Sequence, residues 1–297
     1  MTPLIKIVYC RLSSTVAVRE LKESMMRLWI AGLALLGAFG TLLGALGMSE
    51  LSAADDIADR FEKKVFTGKD GGKLNYRFLA PAAVKDGEKQ QKFPLVIFLH
   101  GAGERGDDNT AQLVHGVKRL AQDDFLKQYP CYVIAPQCPT GQLWASKHWE
   151  DPNPALAAEP SAPTKLLMEL MDGLEKDMPI DTQREYVTGL SMGGYGTWEM
   201  AQRQPQRFAA IVPICGGADN KNMAGIKDLP IWVFHGDKDG AVPVERSREA
   251  VAALQALGGK PIYTEYPGVG HDSWNPSYAD LKLYEWLFAQ KNANPEQ

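Results

Sequence analysis

The sequence predicts an α/β protein: a mostly parallel central sheet of about eight strands, flanked by helices, with no separate cap domain. Three observations lead there. Apolar runs of strand length recur along the chain, helical patterns separate them, and no repeat or low-complexity tract interrupts the alternation. Strands that alternate with helices need crossover connections, and crossovers make neighbouring strands parallel. Composition agrees. Of 297 residues, 45% are hydrophobic and 23% charged, which suits a globular chain and excludes disordered or collagen-like structure.

The elements follow in order. Residues 63–67 and 73–79 alternate apolar and polar around Gly68, Gly71 and Gly72, the pattern of a β-hairpin at a sheet edge. Apolar runs at 93–99, 132–135, 186–188, 210–214 and 231–234 read as strands buried on both faces, with a shorter strand at 262–266. Helices are predicted at 164–176, where Leu166, Leu167, Leu170, Met171 and Leu174 keep 3–4 spacing, and at 195–203, 245–257 and 278–290. These segments form one domain over 60–292. The stretch 136–163 is long, irregular and rich in proline, and loops of that length in a compact domain usually serve function.

Residues 1–54 form a leader rather than part of that domain. Positions 28–48 carry no charge, Arg27 precedes them, and Ser52, Ala53 and Ala54 follow. A basic flank, an apolar run and a small-residue exit describe a signal peptide with its core at 27–54, cleaved near Ala54. The run is also long enough to span a bilayer once, so a single-pass N-terminal anchor is the alternative. Either reading places the remainder outside the cytoplasm, secreted or periplasmic, with membrane contact only if the segment is retained. Four cysteines are too few for a disulfide scaffold, and Cys131, Cys138 and Cys215 read as free or buried thiols, with a disulfide between two of them as the alternative. A net charge of −4 gives a nucleic-acid partner no electrostatic support. The oligomeric state is left open.

Gly189-Leu190-Ser191-Met192-Gly193 has the form G-x-S-x-G, after a predicted strand and before a predicted helix. A sharp turn there lifts the Ser191 hydroxyl above the sheet edge and aims the Met192 N–H at a developing oxyanion. A serine hydroxyl needs a base. His271 follows the last short strand and precedes the last helix, where the order serine, acid, histidine places it. Asp239 is the preferred acid, because it lies far enough past its strand to reach sideways; Asp237 is expected to hold the loop. His100 and His235 are read as loop braces, His115 as a helix-face residue, and His148 as a loop residue within reach of substrate. The loop His100-Gly101-Ala102-Gly103-Glu104-Arg105-Gly106 offers the second oxyanion donor, the Ala102 N–H, with Gly103 as alternate. Glu104 and Arg105 read as an ion pair beside the site, with a general-acid role for Glu104 as the alternative. No H-E-x-x-H or paired-cysteine pattern points to a metal, and no strand–G-x-G-x-x-G–helix unit points to a dinucleotide, so no cofactor is expected.

The segments from Leu99 to Gly106, from Tyr186 to Trp198 and His271-Asp272-Ser273-Trp274 resemble the α/β-hydrolase superfamily. Within it they are similar to exported esterases labelled "predicted peptidase" or phospholipase/carboxylesterase, relatives of dienelactone hydrolases, feruloyl esterases and polyhydroxybutyrate depolymerases. The resemblance covers about residues 60–290. It implies a triad of Ser191, Asp239 and His271, oxyanion donors at Met192 and Ala102, and a substrate pocket lined by Trp144 and Trp274. The chain departs from the prolyl peptidase branch in lacking a propeller. It also has no cap insertion, because only about 15 residues, 215–229, separate two core strands. The expectation is a secreted serine carboxylesterase acting on short-acyl, small-molecule or carbohydrate-linked esters. A serine peptidase of the prolyl-oligopeptidase-like group and a non-catalytic binding module are the alternatives.

Overall fold

In the computed structural model, which describes residues 57–81, 91–146, 151 and 155–292, eight strands pair into one sheet. They are β1 (Glu62–Thr67), β2 (Lys73–Leu79), β3 (Phe93–Leu99), β4 (Tyr132–Pro136), β5 (Ile180–Leu190), β6 (Ala210–Ile214), β7 (Trp232–Gly236) and β8 (Ile262–Tyr266). Their spatial order is β1-β2-β4-β3-β5-β6-β7-β8. The β1–β2 and β2–β4 pairs are antiparallel and every other pair is parallel. Six α-helices lie wholly within the described residues: α1 (Asp123–Gln128), α2 (Ala162–Asp177), α3 (Met192–Arg203), α4 (Glu245–Ala256), α5 (Trp274–Ala279) and α6 (Leu281–Ala289). All of these elements belong to one compact unit that begins at Ile57. The leader lies outside the described residues, and no described helix is long and apolar enough to cross a membrane.

Both faces of the sheet are covered, which is why its central strands read as unbroken apolar runs. Within β3, Leu95, Ile97 and Leu99 enter one core while Val96 and Phe98 enter the other. Helix α2 turns Leu167, Leu170 and Met171 into the first core, and Ser161 caps its start by accepting the Thr164 N–H. Helix α6 turns Leu283 and Leu287 into the second. Full burial of each such aliphatic side chain stabilises by roughly 1.5–3 kcal/mol.

Several elements differ from their predicted bounds, each for a local reason. Strand β5 starts at Ile180 rather than 186. The polar residues Asp181 to Arg184 hid its beginning, and its pairing with β3 slips at Pro94, which has no N–H to donate. Strand β7 runs on through His235, whose buried imidazole takes a place expected of an apolar residue. The helix expected at 278–290 breaks at Asp280, whose carboxylate accepts the Lys282 N–H at 3.0 Å and starts α6 anew. His115 is not on a helix face. It lies between the 3₁₀ turns Ala111–Leu113 and Val117–Ala121. Cys131, Cys138 and Cys215 are free and buried.

Candidate active site

Ser191 sits at the junction of β5 and α3 with φ 54° and ψ −118°, a left-handed conformation that non-glycine residues rarely adopt. Its neighbours make the turn possible. A Cβ on Gly193 would run into the Leu99 carbonyl oxygen, and one on Gly189 into that of Gly193, so only glycine lets β3, β5 and α3 approach so closely. The Ser191 N–H donates to the Ile214 carbonyl at 3.0 Å, which ties the turn to β6. Met192 is the first residue of α3, where N–H groups lack intrahelical partners and the helix dipole is positive.

His271 comes from the loop after β8. Its Nε2 lies 2.9 Å from Ser191 Oγ and its Nδ1 2.8 Å from Asp239 Oδ2. Asp239 comes from the loop after β7, and its side chain has no exposed surface. The two loops are stitched together: Lys238 N–H donates to Val269 O at 2.9 Å, and Asp237 N–H to Tyr266 O at 3.1 Å. Asp237 also accepts the Gly268 N–H at 2.6 Å, so it holds the histidine loop and does not reach the imidazole. Burial opposes the charge on Asp239. Bonds from His235, His271 and the Val242 and Ala241 N–H groups outweigh it and hold the carboxyl well below the usual carboxylate range.

The remaining predicted site residues divide. Ala102 opens a 3₁₀ turn, Ala102–Glu104, whose carbonyl at Ala102 accepts from Arg105 Nε at 2.8 Å. The Glu104 carboxylate faces His115 Nε2 at 3.6 Å, and its Oε2 is buried without a partner. Trp274 stands edge-on to His271, ring centroids 5.2 Å apart, and also packs against His115 at 5.3 Å. His115 is therefore a neighbour of the site, which its sequence position gave no sign of. Trp144, expected to line the pocket, does not. It is fully buried, packs against Gly196, and donates from Nε1 to the His100 carbonyl at 3.1 Å. The absence of a side chain on Gly196 makes room for the indole inside the core.

His100 braces its loop as expected. Its Nδ1 lies 2.6 Å from the Gly101 carbonyl and its Nε2 accepts the Cys138 N–H at 2.9 Å. Burial pushes its pKa down to about 4, so the ring is neutral near neutral pH. His148 lies outside the described residues. The described parts of the long loop are pinned to α3. Glu199 accepts the Ser146 N–H at 2.7 Å, and Arg203 Nη2 donates to the Ala157 carbonyl at 3.0 Å.

One group of three side chains among the described residues lies close enough together to hold a metal ion: Cys215, Asp239 and His271. Asp239 and His271 already spend the relevant atoms on each other, and burial pushes the Cys215 thiol up, which keeps it protonated. The arrangement suits proton transfer between Ser191 and His271 better than metal binding.

The sequence profile of the phospholipase/carboxylesterase family matches residues 80–284. The chain is 31% identical over 126 residues to poly(3-hydroxyalkanoate) depolymerase C of Paucimonas lemoignei, across 42% of this chain and 28% of that protein. It is 24% identical over 198 residues to acyl-protein thioesterase 1 of Gibberella zeae, across 60% of this chain and 83% of that one. The crystal structure of a thermostable esterase superposes with a TM-score of 0.74 at 42% identity, covering 79% of this chain and 64% of the other. The chain thus spans under two thirds of the length of the depolymerase and of the thermostable esterase. With its profile matching more than half of its length, and with a mostly parallel eight-stranded sheet flanked by helices, the chain belongs to the phospholipase/carboxylesterase family of α/β hydrolases.

Proposed function

We propose that this protein is a serine carboxylesterase that works through an acyl-enzyme on Ser191. The observation that carries the reading is the continuous hydrogen-bonded chain from Ser191 through His271 to Asp239. Ser191 Oγ attacks the ester carbonyl while its proton passes to His271 Nε2. The N–H groups of Met192 and Ala102 stabilise the oxyanion, each such donor being worth roughly 3 kcal/mol in the transition state. His271 returns the proton to the departing alkoxide, and the alcohol leaves. Water, deprotonated by the same nitrogen, then releases the acid and restores the serine. Asp239 holds His271 with Nδ1 protonated throughout.

The test is Ser191→Ala, assayed on p-nitrophenyl acetate and with a fluorophosphonate label. Turnover should fall by roughly 10⁴-fold or more, because triad members act as a unit, and labelling should vanish. Near-normal turnover would remove the serine mechanism.

Two further readings accompany it. Short acyl groups of about two to four carbons are favoured, because the loop 136–163 offers only scattered apolar residues and Trp274 stands beside His271. Faster turnover of long-chain esters than of acetate would overturn this. Export rests on the apolar run 28–48 and the small residues before Asp55. N-terminal sequencing from the native host should find a start near Asp55, whereas an intact N-terminus in the membrane fraction would mean an anchor.

A further inference from the structure

We infer that His235 is a positioning residue for the catalytic acid, carrying a proton on Nε2 and supplying the last hydrogen bond that the Asp239 carboxylate can accept. The inference rests on the esterase reading of Ser191, His271 and Asp239.

The proton on His235 follows from its surroundings. The side chain is fully buried. Its Nε2 lies 3.2 Å from Asp239 Oδ2 and 3.0 Å from the Val242 carbonyl oxygen. Both neighbours offer only lone pairs while Asp239 is ionised, so a bare Nε2 would set three lone pairs against one another in a buried site. On the other side, Nδ1 lies 2.7 Å from Ser247 Oγ, a hydroxyl that can either donate or accept. With Nε2 protonated, its one N–H is shared between the Val242 carbonyl and Asp239 Oδ2, and Ser247, whose Oγ also lies 3.2 Å from the Gly216 carbonyl, turns its proton to Nδ1; with Nδ1 alone protonated, Nε2 faces both oxygens bare.

The consequence falls on Asp239. A carboxylate has about four acceptor positions. Oδ1 takes the Ala241 and Val242 N–H groups at 2.8 and 2.9 Å. Oδ2 takes His271 Nδ1 at 2.8 Å, and His235 Nε2 fills the place that is left. Such a set fixes the rotation of the carboxylate and lowers its basicity. When His271 gains the Ser191 proton and becomes an imidazolium, its Nδ1 proton then stays on the ring, and the ring keeps its aim. His235 touches no reacting atom; it acts through Asp239.

Three substitutions separate this role from a brace of the 236–243 loop. His235→Gln keeps an amide N–H near the Nε2 position, His235→Asn places its amide near Nδ1 instead, and His235→Leu keeps neither. The His235→Leu and His235→Asn proteins should lose about tenfold or more in kcat on p-nitrophenyl acetate with KM within about twofold, and His235→Gln should recover most of that loss. Equal impairment of Gln and Asn, or unchanged kcat in all three, overturns the proposal. If the Leu protein does not fold, the Gln–Asn pair decides. Nitrogen-15 NMR of the histidine-labelled native protein reads the proton directly and needs no turnover. An Nε2–H on His235 is expected, and an Nδ1–H with a bare Nε2 sinks the idea. A native protein that neither turns over esters nor takes the fluorophosphonate label would defeat the esterase reading alone, leaving the tautomer measurement to judge His235.

Discussion

Asp239 and Glu185 are both carboxylates with almost no exposed surface, and their surroundings drive them in opposite directions. Asp239 meets donors at every acceptor position, and its pKa is driven down. Glu185, on β5, meets Arg207 Nε at 3.0 Å through Oε2 but leaves Oε1 buried without a partner. The same Arg207 also serves Asp172 at 2.9 Å and Glu175, so one cation faces three acids. Burial, against the attraction of Arg207 and with repulsion from Glu175, pushes Glu185 up to about 8. Burial is common to both sites. What differs is the number of donors per carboxylate, and that number sets the direction in which each acid's pKa moves.

The largest expected effect breaks the donor set at Asp239. Asp239→Asn presents an NH₂ group to neighbours that are themselves donors, and should lower kcat by about 10⁴-fold through loss of the histidine tautomer. Asp237→Asn loses one bond to Gly268 and should cost about tenfold or less. The reverse order in a side-by-side kinetic assay would reassign the acid.

A smaller effect sharpens the comparison by removing burial without charge. Trp144→Ala empties a core position and should destabilise by about 3–5 kcal/mol in denaturant unfolding. KM for bulky and small esters should change in parallel, because the indole lies in the core. A selective rise for the bulky ester would return Trp144 to the pocket.

The smallest effect lies at Glu185 and concerns pH. A raised folded-state pKa means that this group's stabilisation is complete below the ordinary glutamate value and is lost as pH rises through about 8. For Asp239 the sign reverses: a lowered pKa keeps its contribution intact above the ordinary aspartate value and loses it only in strong acid. Glu185→Gln should therefore flatten the fall in Tm between about pH 5 and pH 8, a change of about 2–4 °C per kcal/mol in a domain of this size. Melting curves with the same pH slope in both proteins would show that Glu185 is ionised throughout.

Some of this architecture was legible in the chain itself. The strands β3, β4, β6 and β8 announce themselves because burial on both faces, or a short alternating run, leaves a pattern within a few residues. Ser191, Asp239 and His271 could be singled out because each follows a strand in the required order, and strand ends converge on one edge of a parallel sheet. Tertiary structure decided the rest. Trp144 looked available to substrate until Gly196, on a different element, left a space for it in the core. His115 and Trp274 are far apart in sequence yet touch beside the site. The four-residue spacing of His235 and Asp239 was visible, but their approach to 3.2 Å is set by the turn out of β7, whose Lys238 N–H is tied to Val269 of the histidine loop. Periodicity and chain order are local properties and survive in a linear sequence. The burial of a tryptophan or the proton on an imidazole is set by atoms that only folding brings within a few ångströms.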